Sequence, residues 1–264
     1  MATSDAPMQI GRVALTVNDL AGTGDFYQRV IGLQRLSGSG GELMLGADDR
    51  ALLELREDRA ARPQPREAGL FHTAFLLPSR AALGSWLRFA VARDIALDGA
   101  SDHLVSEALY LRDPEGNGIE IYVDRPRDQW LRQGAEVVMD TRPLDARALL
   151  AAGRDGWRSA APGTIIGHVH LQVGALAEAE AFCTDRLRMK RSAHMPGASF
   201  FASGGYHHHL AANIWHSRGA ARRSAGATGL AELVLAADAD LMARLDGDSL
   251  TDPWGTRFRI EAKP

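Results

Sequence analysis

Hydrophobic and polar positions recur in one order four times along the chain. Residues 10–17, IGRVALTV, alternate with period two, as a half-buried strand does. NDLAGTGDFYQRVIG follows with helical spacing, with Asn18 or Asp19 as its cap and Gly32 at its stop. Short strand patterns near 33–36, 42–45 and 51–55 complete a β-α-β-β-β unit. The order restarts at Gly69, where FHTAFLLP reads as a strand and SRAALGSWLRFAVARD as a helix. HLVSEALYLRDPEGNGIEIYV then reads as two strands about a DPEGNG turn, in which proline presets φ and the glycines admit positive φ. A third unit opens on IGHVHLQV, which aligns with IGRVALTV, and continues with the helix ALAEAEAFCTDRLRM and the strands ASFFASG and YHHHLAANIW. A shorter fourth unit runs from GLAELVLAA to DPWGTRFRIEAK, where DPWGTRFRI parallels DPEGNGIEI.

Repetition of a supersecondary unit sets the architecture before any single residue does. The expected fold is α+β, four βαβββ modules in two halves. The first half spans 8–126 (modules 8–58 and 69–126), and the second spans 164–264 (modules 164–217 and 228–264). The connection, 127–163, is long for a simple loop and carries a short helical pattern, RPLDARALLAAGRDGW.

Composition narrows the function classes. With 45% hydrophobic and 24% charged positions in 264 residues, the chain can bury substantial cores. A net charge of −3 with scattered arginines lacks the basic stripe of a nucleic-acid binder. No stretch approaches the roughly 20 apolar residues needed to span a bilayer, and the N-terminus lacks a signal-peptide pattern. The single cysteine, Cys183, allows no intrachain disulfide and reads as a small core residue. The expectation is a cytoplasmic protein with neither membrane nor nucleic-acid partners.

The nine histidines concentrate on the strand patterns of the second and third modules. A lone strand histidine is ordinarily a satisfied structural residue, so the weight falls on the set. Strand alternation puts His168 and His170 on one face, and by the same rule would set His208 opposite His207 and His209. His72 opens the second module as His168 opens the third, and Glu120 sits on the second module's last strand. Alone, Glu120 would read as an exposed strand glutamate. Two imidazoles and one carboxylate together make the facial triad that holds Fe(II) with open positions. Glu107 reads as a surface or cross-strand partner and is left unassigned.

The module repeat, DPEGNGIEIY and IGHVHLQV together resemble the vicinal oxygen chelate superfamily, over essentially the whole chain. GLFHTAFLLP, SDHLVSEALYLRDPEGNGIEIYVDRP, IGHVHLQV and GGYHHHLAANIW resemble its four-module bacterial catechol 2,3-dioxygenases. The resemblance implies two pseudo-symmetric vicinal-oxygen-chelate barrels and extradiol cleavage of a catechol or substituted catechol, both atoms of dioxygen entering the product. It implies His168, after Gly167, and His72 as metal ligands, Glu120 as the carboxylate ligand, and His208 within YHHHLA as the acid–base catalyst. His103 and Tyr110 become the substrate-contacting pair, and the ten-residue step from Tyr110 to Glu120 agrees with the family's spacing. The metal is Fe(II), although the same donors accept Mn(II). The partners are a small aromatic diol and dioxygen, and self-association into a homo-oligomer is in keeping with the family. His207 or His209 would support the ligands from behind, His170 has no assigned role, and Phe71, Phe75 and Trp215 are pocket walls or core.

The module order departs from the family pattern. The first module carries Arg12 where the third has His168, and the fourth carries Glu232 and Arg259 where the second has His72 and Glu120. A complete triad therefore requires the second and third modules to meet over one cavity, leaving the first and fourth as a pair without it. Two other readings remain. A glyoxalase-like isomerase would need a fourth ligand that here falls in the His207–His209 run, and a bleomycin-resistance-type binder would leave the histidines unexplained.

Overall fold

The computed structural model describes residues 5–263. The first module consists of β1 (Met8–Val17), α1 (Leu20–Phe26), β2 (Gln34–Ser39), β3 (Glu42–Ala47) and β4 (Arg50–Glu57). The second consists of β5 (Gly69–Leu76), α2 (Arg80–Ala92), β6 (Gly99–Asp102), β7 (Ser106–Arg112) and β8 (Gly118–Asp124). The connection holds β9 (Arg132–Gln133), β10 (Glu136–Val137), β11 (Arg142–Pro143) and α3 (Ala146–Ala152). The third module is β12 (Ile165–Gln172), α4 (Leu176–Ala181), β13 (Lys190–Met195), β14 (Ala198–Ala202) and β15 (Leu210–Asn213). The fourth is β16 (Gly229–Ala237), α5 (Ala239–Met242), β17 (Ser249–Thr251) and β18 (Arg257–Ala262).

Local chemistry explains the element ends. Of the two candidate caps for α1, Asp19 does the work, its carboxylate accepting from the Gly22 N–H at 3.0 Å. Asn18 instead donates its amide to the Asp58 and Ala61 carbonyls at 2.7 and 3.0 Å, tying the start of α1 to the end of β4. Helices α1 and α4 each pass into a single π turn, Tyr27–Ile31 and Phe182–Arg186, an irregularity shared by the first and third modules. Helix α2 starts at a Ser79 cap and buries Leu83, Trp86, Leu87 and Ala90, one apolar stripe at helical spacing.

The modules combine across the connection. One seven-stranded sheet has the order β17-β18-β16-β1-β4-β3-β2, and one nine-stranded sheet the order β11-β6-β7-β8-β5-β12-β15-β14-β13. The first and fourth modules are joined by β1 antiparallel to β16, the second and third by β5 antiparallel to β12. One apolar core containing Tyr27, Phe75, Trp86 and Phe258 runs between them. Polar ties cross it: the Trp86 indole donates to the Val30 carbonyl at 2.8 Å, and the Tyr27 hydroxyl donates to Asp113 at 3.2 Å. Among the described residues, no helix is long and apolar enough to cross a membrane.

Candidate metal centre

The β5–β12 pairing brings the predicted ligands together. In its register His170 lies opposite His72, and His168 opposite Ala74. The β5–β8 ladder sets Ala74 beside Glu120, so three adjacent strands aim His168, His72 and Glu120 at one point. Bulges flank the histidines on β12, and such irregularities re-aim side chains into a cavity. Gly167 is required by a close approach: a Cβ there would overlap the Tyr122 hydroxyl. The glycine preceding His168 thus lets β12 lie against the tyrosine whose ring sits 4.8 Å from the His168 ring.

The three donors are buried and lie within 4.8 Å of one another. His72 Nε2 and His168 Nε2 approach the same Glu120 oxygen at 3.0 and 3.1 Å. Donors in neighbouring positions on one ion, with bonds of about 2.1 Å, lie ~3.0 Å apart. Burial alone would raise the Glu120 pKa, but the His168 and His72 imidazoles hold it well below the usual carboxylate range. Burial pushes His168 down to about 4, so it is neutral as a metal-binding imidazole must be. Two features fit these residues to a cation. His72 Nε2 is a buried nitrogen without an aligned hydrogen-bond partner, and Glu120 has no lysine or arginine partner among the described residues. A buried carboxylate left uncompensated in this way is costly.

His103 and Tyr110 stand together beside the triad. His103 Nδ1 donates to the Asp140 carbonyl at 2.8 Å, which leaves Nε2 to accept from the Tyr110 hydroxyl at 2.7 Å. Burial, then the Glu120 charge, raises the Tyr110 pKa well above its ordinary value, so the phenol keeps its proton. Glu107, unassigned from sequence, is buried and held by Arg80 at 2.5 and 3.1 Å, an anchor for α2 against β7. Of the expected aromatic walls, Phe71 and Trp215 line the cavity, whereas Phe75 is fully buried in the core.

The strand expected over YHHHLAANIW begins only at Leu210. Gly204 and Gly205, at φ 63° and 70°, turn the chain sharply, and His207–His209 follow in irregular backbone. The alternation expected for these histidines is therefore lost, and the His207 and His208 rings face each other with their Nδ1 atoms 2.8 Å apart. His207 Nε2 meets Asp124 Oδ1 at 2.9 Å, and the Tyr206 hydroxyl donates to the same carboxylate at 3.0 Å. Since a carboxylate only accepts, His207 carries a proton on Nε2, and as the neutral tautomer it accepts at Nδ1. His208 then carries its proton on Nδ1, leaving Nε2 as its free lone pair. Burial, then the neighbouring His168, pushes the His208 pKa well down. His209 is a latch for the turn, its Nδ1 accepting from the Ser203 N–H at 3.2 Å. His170 is oriented from behind. The Trp215 N–H fixes the Asn213 amide oxygen at 3.2 Å, so the amide nitrogen donates to His170 Nε2 at 3.0 Å. Sequence reading passed over Asp124 and Asn213 because each acts through a contact distant in sequence, with no local motif to mark it.

The corresponding points of the other sheet hold ion pairs instead. Arg12 and Arg56 flank Glu54 at 3.3 and 2.6 Å, and Arg259 meets Glu232 at 3.1 Å. Burial opposes ionisation of Glu54, but the two guanidinium groups outweigh it and lower its pKa.

Comparison with known proteins agrees with this architecture. The family model described as the Glyoxalase/Bleomycin resistance protein/Dioxygenase superfamily matches residues 9–121. A curated relative, the catechol-2,3-dioxygenase of Bacillus subtilis (strain 168), is 44% identical over 228 residues, covering 84% of this chain and 80% of the relative. Among solved structures, one from Bacillus subtilis subsp. subtilis str. 168, provisionally described as a dioxygenase, superposes with a TM-score of 0.63 at 13% identity, over 99% of this chain and 87% of its own. Glyoxalase I from Zea mays superposes at 0.56 with 13% identity, over 97% and 92%. At such low identities these two structures speak for the fold alone. With the curated relative matched over most of its length, the chain belongs to the glyoxalase, bleomycin-resistance and dioxygenase superfamily.

Proposed function

We propose that this protein is an extradiol dioxygenase that cleaves the ring of catechol or a substituted catechol, with His72, His168 and Glu120 holding Fe(II) or, with the same donors, Mn(II). The observation that carries this reading is the convergence of two buried imidazoles and one buried carboxylate without a lysine or arginine partner on the floor of a pocket that His208 and Tyr110 also line. The name of the 44%-identical relative supports the same reaction. When bound, the metal supplies adjacent open positions and Lewis acidity for an ortho-diol and dioxygen.

The chain's own residues supply the rest. Phe71 and Phe200 line the pocket and offer apolar faces against which the ring of the diol can pack. His208 Nε2, bare because Asp124 and His207 fix the proton on Nδ1, accepts a hydroxyl proton from the diol and returns it later in the cycle. Tyr110, held by His103, keeps a protonated phenol beside the ligands as a hydrogen-bonding contact for a substrate oxygen. An isomerase of the glyoxalase type is disfavoured: beyond Glu120, the cavity's one lining carboxylate is Asp98, which is paired with Arg112 at 2.8 Å.

The test is anaerobic loading with Fe(II), followed by catechol and air. The expected result is a yellow ring-fission product with stoichiometric oxygen uptake. No oxygen uptake with any of several catechols overturns the reading.

A further inference from the structure

Beyond the three ligands, the ionisable groups lining the pocket are nearly all committed. His103 is engaged at both ring nitrogens, His170 Nε2 accepts from Asn213, Tyr110 keeps its proton, and Asp98 is held by Arg112. His208 has a free lone pair on Nε2, and from its other nitrogen the contacts run on, away from the pocket. Its Nδ1 meets His207 Nδ1 at 2.8 Å, and His207 Nε2 meets Asp124 Oδ1 at 2.9 Å. His207, the middle member, is fully buried.

Asp124 belongs to a second opening. It lines a surface cleft of about 270 Å³ together with Leu77, Pro78, Arg125 and Arg127. The pocket lies at the Phe71 and Gly118 end of β5 and β8, the cleft at the Leu76 and Val123 end, and the two share no lining residue. Along β8, Asp124 stands ~13 Å from Glu120. The two guanidinium groups of the cleft already have carboxylate partners, Asp102 for Arg125 at 2.6 Å and Asp5 for Arg127 at 3.1 Å. Asp124 is instead positioned by the Tyr206 hydroxyl, 3.0 Å from each of its oxygens, and its side chain remains 10% exposed.

We propose that His208, His207 and Asp124, at the site taken above to bind a diol, form a proton relay that discharges into this cleft, a solvent port separate from the substrate pocket. His208 Nε2 takes a hydroxyl proton from the diol, whose oxygen keeps the bonding pair. The His208 Nδ1 proton passes to His207 Nδ1, the His207 Nε2 proton passes to the Asp124 carboxylate, and Asp124 releases it to water or a buffer base in the cleft. One proton enters at Nε2 and one leaves at the cleft, so His208 ends neutral with the diol's proton still on Nε2. When His208 gives that proton up, the reverse transfers restore the resting tautomers. Without the relay His208 would stay a cation with its ring 4.1 Å from that of His168, in a buried site where an unpaired charge is costly.

The test follows protons before any oxygen is admitted. Fe(II)-loaded protein is mixed anaerobically with 4-nitrocatechol, whose colour reports loss of its hydroxyl protons, in weak buffer with a pH-indicator dye. In wild type, the colour change and the proton release are expected to coincide. Asp124→Ala, which leaves the carboxylate's place open to the cleft, should slow both at least about tenfold. Sodium formate should restore most of that loss, and sodium chloride at the same concentration should not. Asp124→Asn, whose amide fills the place, should be slowed as well and gain nothing from formate. In metal-free protein, 15N spectra of the imidazoles should show His207 protonated on Nε2 and His208 on Nδ1. Asp124→Ala should mix the tautomers, and formate should bring the wild-type pattern back. Deprotonation and release as fast in either variant as in wild type overturn the relay. So does a slowed Asp124→Ala that ignores formate, which makes Asp124 a structural clamp only. Failure to cleave any diol in air, with Asp124-dependent proton release intact, would instead sink the dioxygenase reading and leave the relay standing.

Discussion

Asp124 never touches the three candidate ligands, yet the geometry makes it a determinant of rate. Its carboxylate, with a side chain only 10% exposed, accepts from His207 Nε2 at 2.9 Å. That contact sets which nitrogen of His207 carries its proton, and so which nitrogen of His208 is left without one. Asp124→Asn keeps the shape but replaces a charged acceptor with a neutral amide whose NH2 can point at His207. A hydrogen bond to a charged group contributes about 1.5–3 kcal/mol, and each 1.36 kcal/mol in the barrier is about tenfold in rate. If that stabilisation is felt fully as His208 takes on a proton, kcat should fall by about 10- to 150-fold. KM for catechol and bound iron should stay close to wild type, since the triad is untouched. Tyr206→Phe, which removes the other donor to the same carboxylate but leaves His207 in place, should cost only a few-fold. Oxygen uptake and ring-fission absorbance give kcat and KM, and elemental analysis gives iron. An unchanged kcat in Asp124→Asn, or a fall that simply tracks iron loss, refutes the tautomer argument.

Three further outcomes follow from the same structure. His72→Ala and His168→Ala should each weaken iron binding by more than about 100-fold, beyond the usual effect of a residue behind the ligands, whereas His208→Ala should keep iron and lose about 10²–10⁴-fold in kcat. Equilibrium dialysis separates the two patterns, and retention of iron by either ligand variant contradicts the shared site. Gly167→Ala should lower stability by about 1–3 kcal/mol through overlap with the Tyr122 hydroxyl, a drop of roughly 2–4 °C in Tm per kcal/mol. Pairing it with Tyr122→Phe should recover part of the loss, and a wild-type Tm for the single variant would contradict the close approach. Glu54 is held below its ordinary pKa of 4.5, so its ionised form stabilises the fold fully above that value and the contribution is lost as pH falls through the folded pKa. The Tm advantage of wild type over Glu54→Gln should be present near neutral pH and shrink in acid. A gap constant across that range removes the ion pairs as its source.

Much of this architecture could be read from side-chain order because the repeat doubles every signal. The likeness of IGRVALTV to IGHVHLQV located β1 and β12, an Asn18 or Asp19 cap placed α1, the pattern SRAALGSWLRFAVARD placed α2, and DPEGNG placed the turn before β8. The demand that His72, Glu120 and His168 form one site required the second and third modules to meet over one cavity, and the β5–β12 ladder joins those modules. What escaped is of two kinds. Strand β6 has no buried residue and so no alternation to detect, while β13, at the sheet edge, buries only its middle residues. The Asp124–His207–His208 chain depends on a tight turn that rotates the histidine run out of strand geometry, and on a partner 83 residues away. Local periodicity carries no information about either.

The two sheets answer one electrostatic problem in different ways. Each presents polar side chains inward at matching positions, where charges are expensive unless balanced. In the sheet of the first and fourth modules, Arg12, Arg56 and Arg259 stand against Glu54, Glu232 and Glu261, equal numbers of opposite charges drawn from four strands. That cluster balances its own charge, with Arg259 and Glu261 partly open to solvent. In the sheet of the second and third modules, the matching positions hold one carboxylate and two imidazoles, and burial keeps His168 from charging. No guanidinium answers the carboxylate there, and His72 Nε2 has no aligned hydrogen-bond partner. Substituting arginine for histidine at the first position, as Arg12 does for His168, closes such a site by filling it with a guanidinium. On the proposed function, a divalent cation would be the counterpart, in one sheet, of the arginines in the other, and the difference between a stabilising ion-pair network and a reactive centre would come down to which of them occupies the floor.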